Sequence, residues 1–307
     1  GGAVAAHLAA HRLQRQLGIP WLAEVHDPFV HPGTVPSTRR QRFFARVETL
    51  ICQHADAAIW FTQQALDSAR RRNPVLGDRG HMMLPGVDSP FPGAMPLYRP
   101  GPRLVIGHFG SLSATRTLKP LIHAWHWLEQ HEPEVSRDLE LHIYGGSLDE
   151  TSSRLAEQWG LSQRIQRFGR IESDPVTGES GRQQVLRHMR QCDVLLLVHG
   201  EGAICEEYIP SKVYEYLWMQ RPILATVHDN PQMVEILRGQ GHWVAQSSLH
   251  DGGSELAAAE MAQHLKALWM QWQAKGLPDS GRVSPYTTQA STSLLIGWAG
   301  TIQSSST

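Results

Sequence analysis

The chain has 307 residues, of which 41% are hydrophobic and 19% charged, a balance typical of globular proteins that excludes disordered, collagen-like and coiled-coil classes. With 28 Lys and Arg against 29 Asp and Glu, the net charge of -1 argues against nucleic-acid binding through overall basicity. No stretch approaches the roughly 18 apolar residues that span a bilayer, no signal segment opens the chain, and the three cysteines are too far apart for a disulfide or zinc pattern. A reducing cytoplasm is the expected location.

The first part of the chain is predicted to alternate helices with short apolar strands. Helices are predicted over 3–17, 37–54 and 62–72, and strands within 19–27 and over 57–61 and 81–84. The stretch 89–102, with five Pro and two Gly, is expected to link two domains. A doubly wound domain has about five or six strands, so we expect roughly 80–120 residues to be missing before Gly1 and the segment 1–95 to be an incomplete N-terminal domain.

Beyond the linker the alternation of strands and helices starts again. Strands are predicted over 103–109, 139–145, 165–169, 193–198, 222–226 and 243–244, and helices over 117–131, 149–159, 181–190, 210–219, 230–238 and 254–274. Apolar strands separated by amphipathic helices indicate a parallel sheet covered on both faces. A Rossmann-like domain is therefore predicted over 96–285, with a C-terminal helix and tail over 286–307.

A glycine-rich loop, GHFGSLSATR, follows the first strand of this second domain. In an open parallel sheet, ligands bind beyond the carboxyl ends of the strands. Gly107 and Gly110 allow a close backbone approach, Ser111 offers a hydroxyl, and Arg116 lies where the next helix begins. The loop is suited to a phosphate, although glycines at such a turn also occur for packing reasons.

The loop after DVLLLV carries two glutamates eight residues apart, Glu207 and Glu215. Pro210 suits the first position of a helix, so free N–H groups near Ser211 and Lys212 would point at an anion, and the Lys212 ammonium adds a full charge. Glu215 can accept hydrogen bonds from two vicinal hydroxyls, as a ribose presents, and Glu207 can reach whatever is attached to the phosphate. The combination favours a nucleotide sugar as ligand; the alternative is a solvated loop followed by an ordinary helix-surface pair.

The order of GHFGSLSATR, IYGG, RFGRI, DVLLLV and EEYIPSKVYEYLWMQRPILA resembles the donor-binding domain of GT-B glycosyltransferases of the GT4 type, and PSKVYEYL is similar to members that build bacterial surface polysaccharides and glycolipids. GIPWLAEVHDPF, HADAAIWFT and LPGVD resemble the second part of that family's N-terminal acceptor domain. The resemblance implies two Rossmann-like domains facing a cleft. It also implies that Glu207 contacts the transferred sugar, that Glu215 binds the ribose, and that Arg116 and Lys212 hold the diphosphate.

By the same resemblance, the backbone at Arg170 and Ile171 would meet the base, and His26 is similar to the family's active-site histidine, with Asp27 beside it. The sequence departs from the family at His26, where related sequences often carry Arg before the aspartate, and at Ser111, where many members carry a basic residue. The second departure leaves most of the phosphate charge to Arg116, with Lys119 as a candidate helper. Glu201 and Glu206 compete with Glu207 for the sugar-facing role, and only the spacing to Glu215 favours Glu207.

The resemblance implies a retaining hexosyltransferase that takes its sugar from a UDP- or GDP-sugar and has a glycolipid or polysaccharide as acceptor, with no cofactor. Two cations and a helix N-terminus can stabilise the leaving diphosphate, so no metal is expected. The pairs His7/His11 and His123/His126 lack acidic or cysteine partners at matching spacing and are interpreted as solvated helix faces. Two alternatives stay open: a GT-B sugar-nucleotide epimerase or hydrolase, and a non-catalytic nucleotide-sugar-binding fragment.

One predicted helix of the first domain is both basic and aromatic. Such a helix can lie on an anionic membrane surface, which would place the protein at the inner face of the membrane; the alternative is a helix that packs its aromatic side and solvates its arginines. The residues concerned are Arg39, Arg40, Arg42, Phe43, Phe44 and Arg46.

Overall fold

The structure is a computed structural model that describes residues 4–91, 93–248 and 253–305. The helices are α1 (Val4–Leu17), α2 (Arg39–His54), α3 (Gln63–Arg72), α4 (Lys119–His131), α5 (Pro133–Asp138), α6 (Glu150–Gln158), α7 (Gly181–Gln191), α8 (Lys212–Trp218), α9 (Pro231–Gly239), α10 (Gly253–Lys275) and α11 (Thr288–Ser305). The strands are β1 (Leu22–Val25), β2 (Ala57–Trp60), β3 (Gly80–Met82), β4 (Leu104–Gly110), β5 (Leu139–Gly145), β6 (Ile165–Gly169), β7 (Val194–Val198), β8 (Ile223–His228) and β9 (Trp243–Ser247). Short 3-10 helices cover Pro74–Arg79, Ser162–Arg164 and Ala203–Glu207.

The chain divides into two compact units. The smaller unit comprises Gly1–Asp88, Ala203–Ser211 and Pro285–Thr307, and the larger unit comprises Ser89–Gly202 and Lys212–Ser284. The segment Ala203–Ser211, which follows β7 in the chain, thus belongs to the smaller unit by its contacts.

The larger unit is built on a six-stranded sheet in the order β6-β5-β4-β7-β8-β9, in which all neighbouring strands are parallel. All residues of β7 and β8 are buried, because helices cover both faces of the sheet. β6 is an edge strand, and four of its five residues are exposed. The strand order reverses between β4 and β7, so the loops after these two strands border the crevice where open sheets bind ligands.

The smaller unit has a three-stranded parallel sheet in the order β1-β2-β3. β2 lies in the middle, and all four of its residues are buried, with Trp60 and Ile51 of α2 among the fully buried side chains. The chain after β3 is joined to the segment before α11 by a hydrogen bond of 3.0 Å from the Val87 N–H to the Tyr286 carbonyl. α11 is therefore part of this unit.

The predicted α/β class with two parallel-sheet domains is confirmed, and the helix bounds differ from the prediction in two informative places. α8 begins at Lys212, two residues later than predicted, so Pro210 precedes the helix instead of opening it. α5 was missed because six residues are too few to show a helical period. Within the described residues, no helix is both long enough and apolar enough to cross a membrane.

Candidate functional site

Two glycine turns meet at the carboxyl ends of β4 and β5. Gly110 has a φ of +136°, and its carbonyl accepts a 3.0 Å hydrogen bond from the Gly146 N–H. A Cβ on Gly145 would lie 3.0 Å from the Gly110 carbonyl oxygen, and one on Gly146 would lie 3.1 Å from the Ser111 Cα. The two turns can approach this closely because they have no side chains. Ser111 is exposed beside them.

Lys212, the first residue of α8, reaches the same turn. Its ammonium donates a hydrogen bond to the Phe109 carbonyl, and a Cβ on Gly110 would overlap its Nζ. Burial lowers the pKa of Lys212, the nearby Arg116 lowers it further, and Glu215 acts in the opposite direction. Because Arg116 disfavours the charged form of Lys212, an anion placed near both cations would be stabilised by both.

Arg116 closes a tight loop after β4. The backbone N–H and carbonyl groups of Ser113 and Arg116 pair through two hydrogen bonds of 3.0 Å, and the Glu201 N–H after β7 donates to the Thr115 carbonyl at 2.6 Å. The Arg116 Nε is buried and has no hydrogen-bond partner within the described part of the chain. A buried guanidinium donor without a partner is costly, and an anionic ligand would satisfy it.

Glu215 lies about one turn after Lys212 on α8. The Glu215 side chain is 13% exposed and forms an ion pair with Arg182, which lies in the first turn of α7. The Arg182 side chain is 60% exposed. The preceding residue, Gly181, is close-packed against the Ile171 carbonyl, and a Cβ there would overlap it. The loop after β6 and the carboxylate of Glu215 are thus joined through the start of α7. Arg170 itself is largely exposed and pairs with Glu172 at 3.1 Å.

One buried histidine belongs to this region. His108 on β4 is almost fully buried, and burial, with smaller effects from nearby Lys212 and Arg116, lowers its pKa to about 4. At neutral pH the imidazole is therefore uncharged and adds nothing to the positive charge of the site.

The predicted sugar-facing residue, Glu207, makes its contacts in the smaller unit. Its side chain is 3% exposed, and burial raises its pKa, opposed by a hydrogen bond with Ser68 and by the charge of Arg72. One carboxylate oxygen, Oε2, lacks a hydrogen-bond partner within the described residues. The backbone carbonyl of Glu207 accepts a 2.8 Å hydrogen bond from the hydroxyl of Thr62, which precedes α3.

A second buried carboxylate stands beside Glu207. Glu48 on α2 accepts two hydrogen bonds from the Arg72 guanidinium, at 2.7 and 2.8 Å, and a third from the Asn73 amide at 3.1 Å. Its negative charge is one of the causes of the raised Glu207 pKa. These hydrogen bonds connect α2 with the end of α3, close to Glu207.

His26 follows β1, and its imidazole is mostly exposed. The ring stacks on Phe61, with centroids 4.5 Å apart, and Nε2 lies 3.1 Å from the Glu24 carboxylate. Phe61 follows β2 and precedes Thr62, the residue that binds the Glu207 backbone. The carboxyl ends of β1 and β2 therefore bring His26 and the Glu207 segment to one edge of the small sheet; Asp27 is half-buried at the same edge.

The residues predicted for the site divide into two groups. The larger unit holds Gly110, Ser111, Arg116, Arg170, Ile171, Lys212 and Glu215, and the smaller unit holds His26, Asp27, Glu207 and Ser211. Their functional roles stay predictions. Arg182 was missed, although Ser180 and Gln183 form a capping box that marks the start of α7 and could have located it.

The paired histidines do not line solvated helix faces throughout. His7 is buried against Trp21 and Phe29, and His126 stacks on Trp159 with ring centroids 4.1 Å apart. The prediction of a solvated face is wrong for His7, because neighbouring aromatic rings cover it. Among the described residues, no group of three or more His, Cys, Asp or Glu is arranged to hold a metal ion.

No protein-family model and no curated protein matches the sequence. Among solved structures, the chain is similar to WaaG, a glycosyltransferase involved in lipopolysaccharide biosynthesis, with a TM-score of 0.60, 16% identity, and coverage of 91% of this chain and 75% of WaaG. It is also similar to HepE of Anabaena in complex with UDP-glucose, with a TM-score of 0.57, 16% identity, and coverage of 99% and 76%. TarM gives a TM-score of 0.57 at 11% identity and 92% coverage, and the chain spans about half of its length, 51%.

These structures share the GT-B architecture, and the likeness confirms the predicted GT-B fold for this chain. The identities are too low to carry more than the fold. The GT4 subtype stays a prediction.

Proposed function

We propose that the chain is a retaining glycosyltransferase that moves a hexose from a nucleotide-diphosphate sugar to a glycolipid or polysaccharide acceptor. The observation that carries this proposal is the pairing of Lys212 and Arg116 beside the Gly110 turn, at the switch point of the larger sheet. Two cations, one with a buried donor that has no partner within the described residues, suit a diphosphate. The complex of HepE with UDP-glucose supports a uridine nucleotide as the first choice, with GDP as the other.

In the proposed donor complex, each part of the nucleotide sugar has its own protein contact. Lys212, Arg116 and the backbone near Gly110 and Ser111 would bind the diphosphate, and Glu215 would accept hydrogen bonds from the ribose hydroxyls. The backbone at Arg170 and Ile171 would meet the base, which its position beside the start of α7 supports.

Transfer requires the bond between the sugar C1 and the phosphate oxygen to break while a bond forms between C1 and the acceptor oxygen. Lys212 and Arg116 would stabilise the charge that develops on the leaving diphosphate, so the reaction needs neither a metal nor another cofactor. In front-face attack the departing phosphate oxygen takes the acceptor's proton, and the configuration at C1 is retained. Glu207, His26 and Asp27 are the residues that we assign to the sugar and acceptor side.

Calorimetric titration of the purified chain with UDP, GDP and their glucose conjugates tests the donor site. We expect one of the two diphosphates to bind and the Lys212→Ala variant to lose at least about tenfold in affinity, because a charge-assisted contact to phosphate is removed. Lys275→Ala, at the end of α10, is the matched control and should bind as the wild type does. A folded wild-type chain that binds neither nucleotide would overturn the proposal.

A nucleotide-sugar-binding role without transfer is the second candidate, and the position of Glu207 favours it. The carboxyl group is buried among Ser68, Arg72 and Glu48, where its raised pKa also favours the uncharged form. A chain that binds the diphosphate but neither transfers nor hydrolyses the sugar would support this candidate. Release of sugar without an acceptor would instead favour an epimerase or hydrolase.

We further propose that the acceptor side contacts an anionic membrane through α2. Phe43 is 45% exposed, its arginine neighbours on the helix are exposed, and Phe44 packs partly inward against Phe29. Vesicles with and without phosphatidylglycerol should differ in binding the chain, and Phe43→Ser with Arg42→Gln should weaken that binding. If the variant and the wild type bound the anionic vesicles equally, α2 would not be a membrane contact and would be an ordinary packed surface helix.

A further inference from the structure

We infer that Arg182 is a positioning residue for the nucleotide ribose, acting through Glu215. This inference rests on the proposed donor site. The capping box of Ser180 and Gln183 marks the start of α7 in the sequence, but it does not connect Arg182 with Glu215, which lies 33 positions later on a different helix.

The ion pair is compatible with this role. Arg182 engages Oε1 of Glu215, and we assign Oε2 as the acceptor for the ribose hydroxyls. A carboxylate has about four lone-pair positions, so one guanidinium contact is compatible with hydroxyl donors on the other oxygen. Because the Glu215 side chain is only 13% exposed, a partner that fixes its orientation matters more than it would at the surface.

The backbone of Arg182 is held on both sides. Ser180 and Gln183 cap the start of α7 reciprocally, Gly181 is packed against the Ile171 carbonyl, and the Gln184 side chain donates to the Glu172 carbonyl at 2.9 Å. The same turn therefore supports the loop assigned to the base and supplies the guanidinium that holds the residue assigned to the ribose.

The test is to compare nucleotides with and without ribose hydroxyls. We expect Arg182→Gln to weaken binding of UDP, or of GDP if that is the nucleotide that binds, by about tenfold, because Glu215 loses the ion pair that fixes its orientation. Binding of the 2′,3′-dideoxy diphosphate, already weak, should not change further. In the Glu215→Gln background the Arg182 substitution should have no added effect, and Arg182→Lys should restore part of the affinity.

The control is Arg187→Gln on the same helix, which breaks an ion pair with Glu179 of 2.9 Å and should leave both affinities unchanged. Thermal unfolding of each variant separates a loss of fold from a loss of positioning. Unchanged UDP binding by Arg182→Gln, or an equal loss for UDP and its dideoxy analogue, would overturn this inference while the donor site stands. Failure of the wild-type chain to bind either diphosphate would overturn the donor site and this inference together.

Discussion

Gly110 ends β4 with a φ of +136°, in a region of backbone conformation that side-chain-bearing residues rarely adopt. The space that a Cβ would occupy is taken by the Lys212 ammonium. Two constraints thus require glycine at this position: the positive φ of the backbone and the close approach of the Lys212 ammonium. Sequence alone indicated a glycine-rich turn, and the contact with Lys212 explains why this glycine is needed.

Replacing Gly110 with Ala should therefore affect both folding and ligand binding. We expect the free energy of unfolding to fall by about 1–3 kcal/mol, the usual cost of such a backbone conformation, and affinity for the nucleotide diphosphate to fall at least about tenfold as Lys212 is displaced. Urea unfolding and calorimetric titration measure the two effects. Gly101→Ala is the control, because a Cβ there meets nothing nearer than 3.8 Å. If Gly110→Ala bound the nucleotide diphosphate as tightly as the wild type, the position of Lys212 beside Gly110 would not be needed for binding.

One side chain at the start of α3, Thr62, is hydrogen-bonded to the backbone of the segment Ala203–Ser211. The Thr62 hydroxyl accepts a hydrogen bond from the Ala65 N–H at 3.2 Å, as a helix cap does, and donates to the Glu207 carbonyl at 2.8 Å. One hydroxyl therefore serves as both the helix cap and the anchor of the segment. The sequence predicted a helix from residue 62 but contained no sign of the second bond, which joins residues 145 positions apart.

The Thr62→Ala substitution should loosen this segment as well as α3. We expect a loss of about 1 kcal/mol from the cap and further loss from the carbonyl left without its donor, together with faster amide hydrogen exchange in 203–211. Thr38→Ala is the matched control, since Thr38 caps α2 and belongs to a capping box that involves only Gln41. Exchange in 203–211 that is equally fast in both variants, or unchanged in Thr62→Ala, would contradict this anchoring role.

Acid should destabilise the larger unit through its buried histidines. Burial lowers the pKa of His108 and of His242 to about 4, against 6.5 for an unperturbed imidazole. Above pH 6.5 both are neutral in the folded and the unfolded chain, so they add no pH dependence. As the pH falls from 6.5 towards 4 the unfolded chain takes up the protons first, and stability falls by up to about 3 kcal/mol per histidine.

Thermal unfolding between pH 7.5 and 4.5 measures this loss, and the His108→Gln variant isolates one contribution. Because glutamine does not titrate, the unfolding temperature of this variant should fall less steeply with acid than that of the wild type. His131→Gln, an exposed position at the end of α4, serves as the control and should leave the slope unchanged. Identical slopes for His108→Gln and the wild type would show that His108 does not resist protonation.

Local features of the sequence were enough to predict most of the elements and to propose residues for the donor site. The run DVLLLV predicts a buried strand because the five residues after Asp193 are all apolar, and all five are buried in β7. The polar residues that follow parallel strands lie together at one edge of the sheet. Gly110, Lys212 and Glu215 could therefore be assigned to one region from their order along the chain. The same alternation predicted Rossmann-like domains, and the resemblance of the loops to a known family implied the GT-B fold.

Only the tertiary structure decided which side chains pair across these elements. The carboxyl group of Glu207 is buried near Ser68 and Arg72, and an ion pair joins Glu215 of α8 to Arg182 of α7. The hydrophobic periodicity of a sequence shows which face of a helix or strand is buried, because that property depends on residues close together in the chain. The hydrogen-bond or ion-pair partner of a polar side chain depends on how distant segments pack together. That packing results from many weak contacts, so no short sequence pattern predicts the partner.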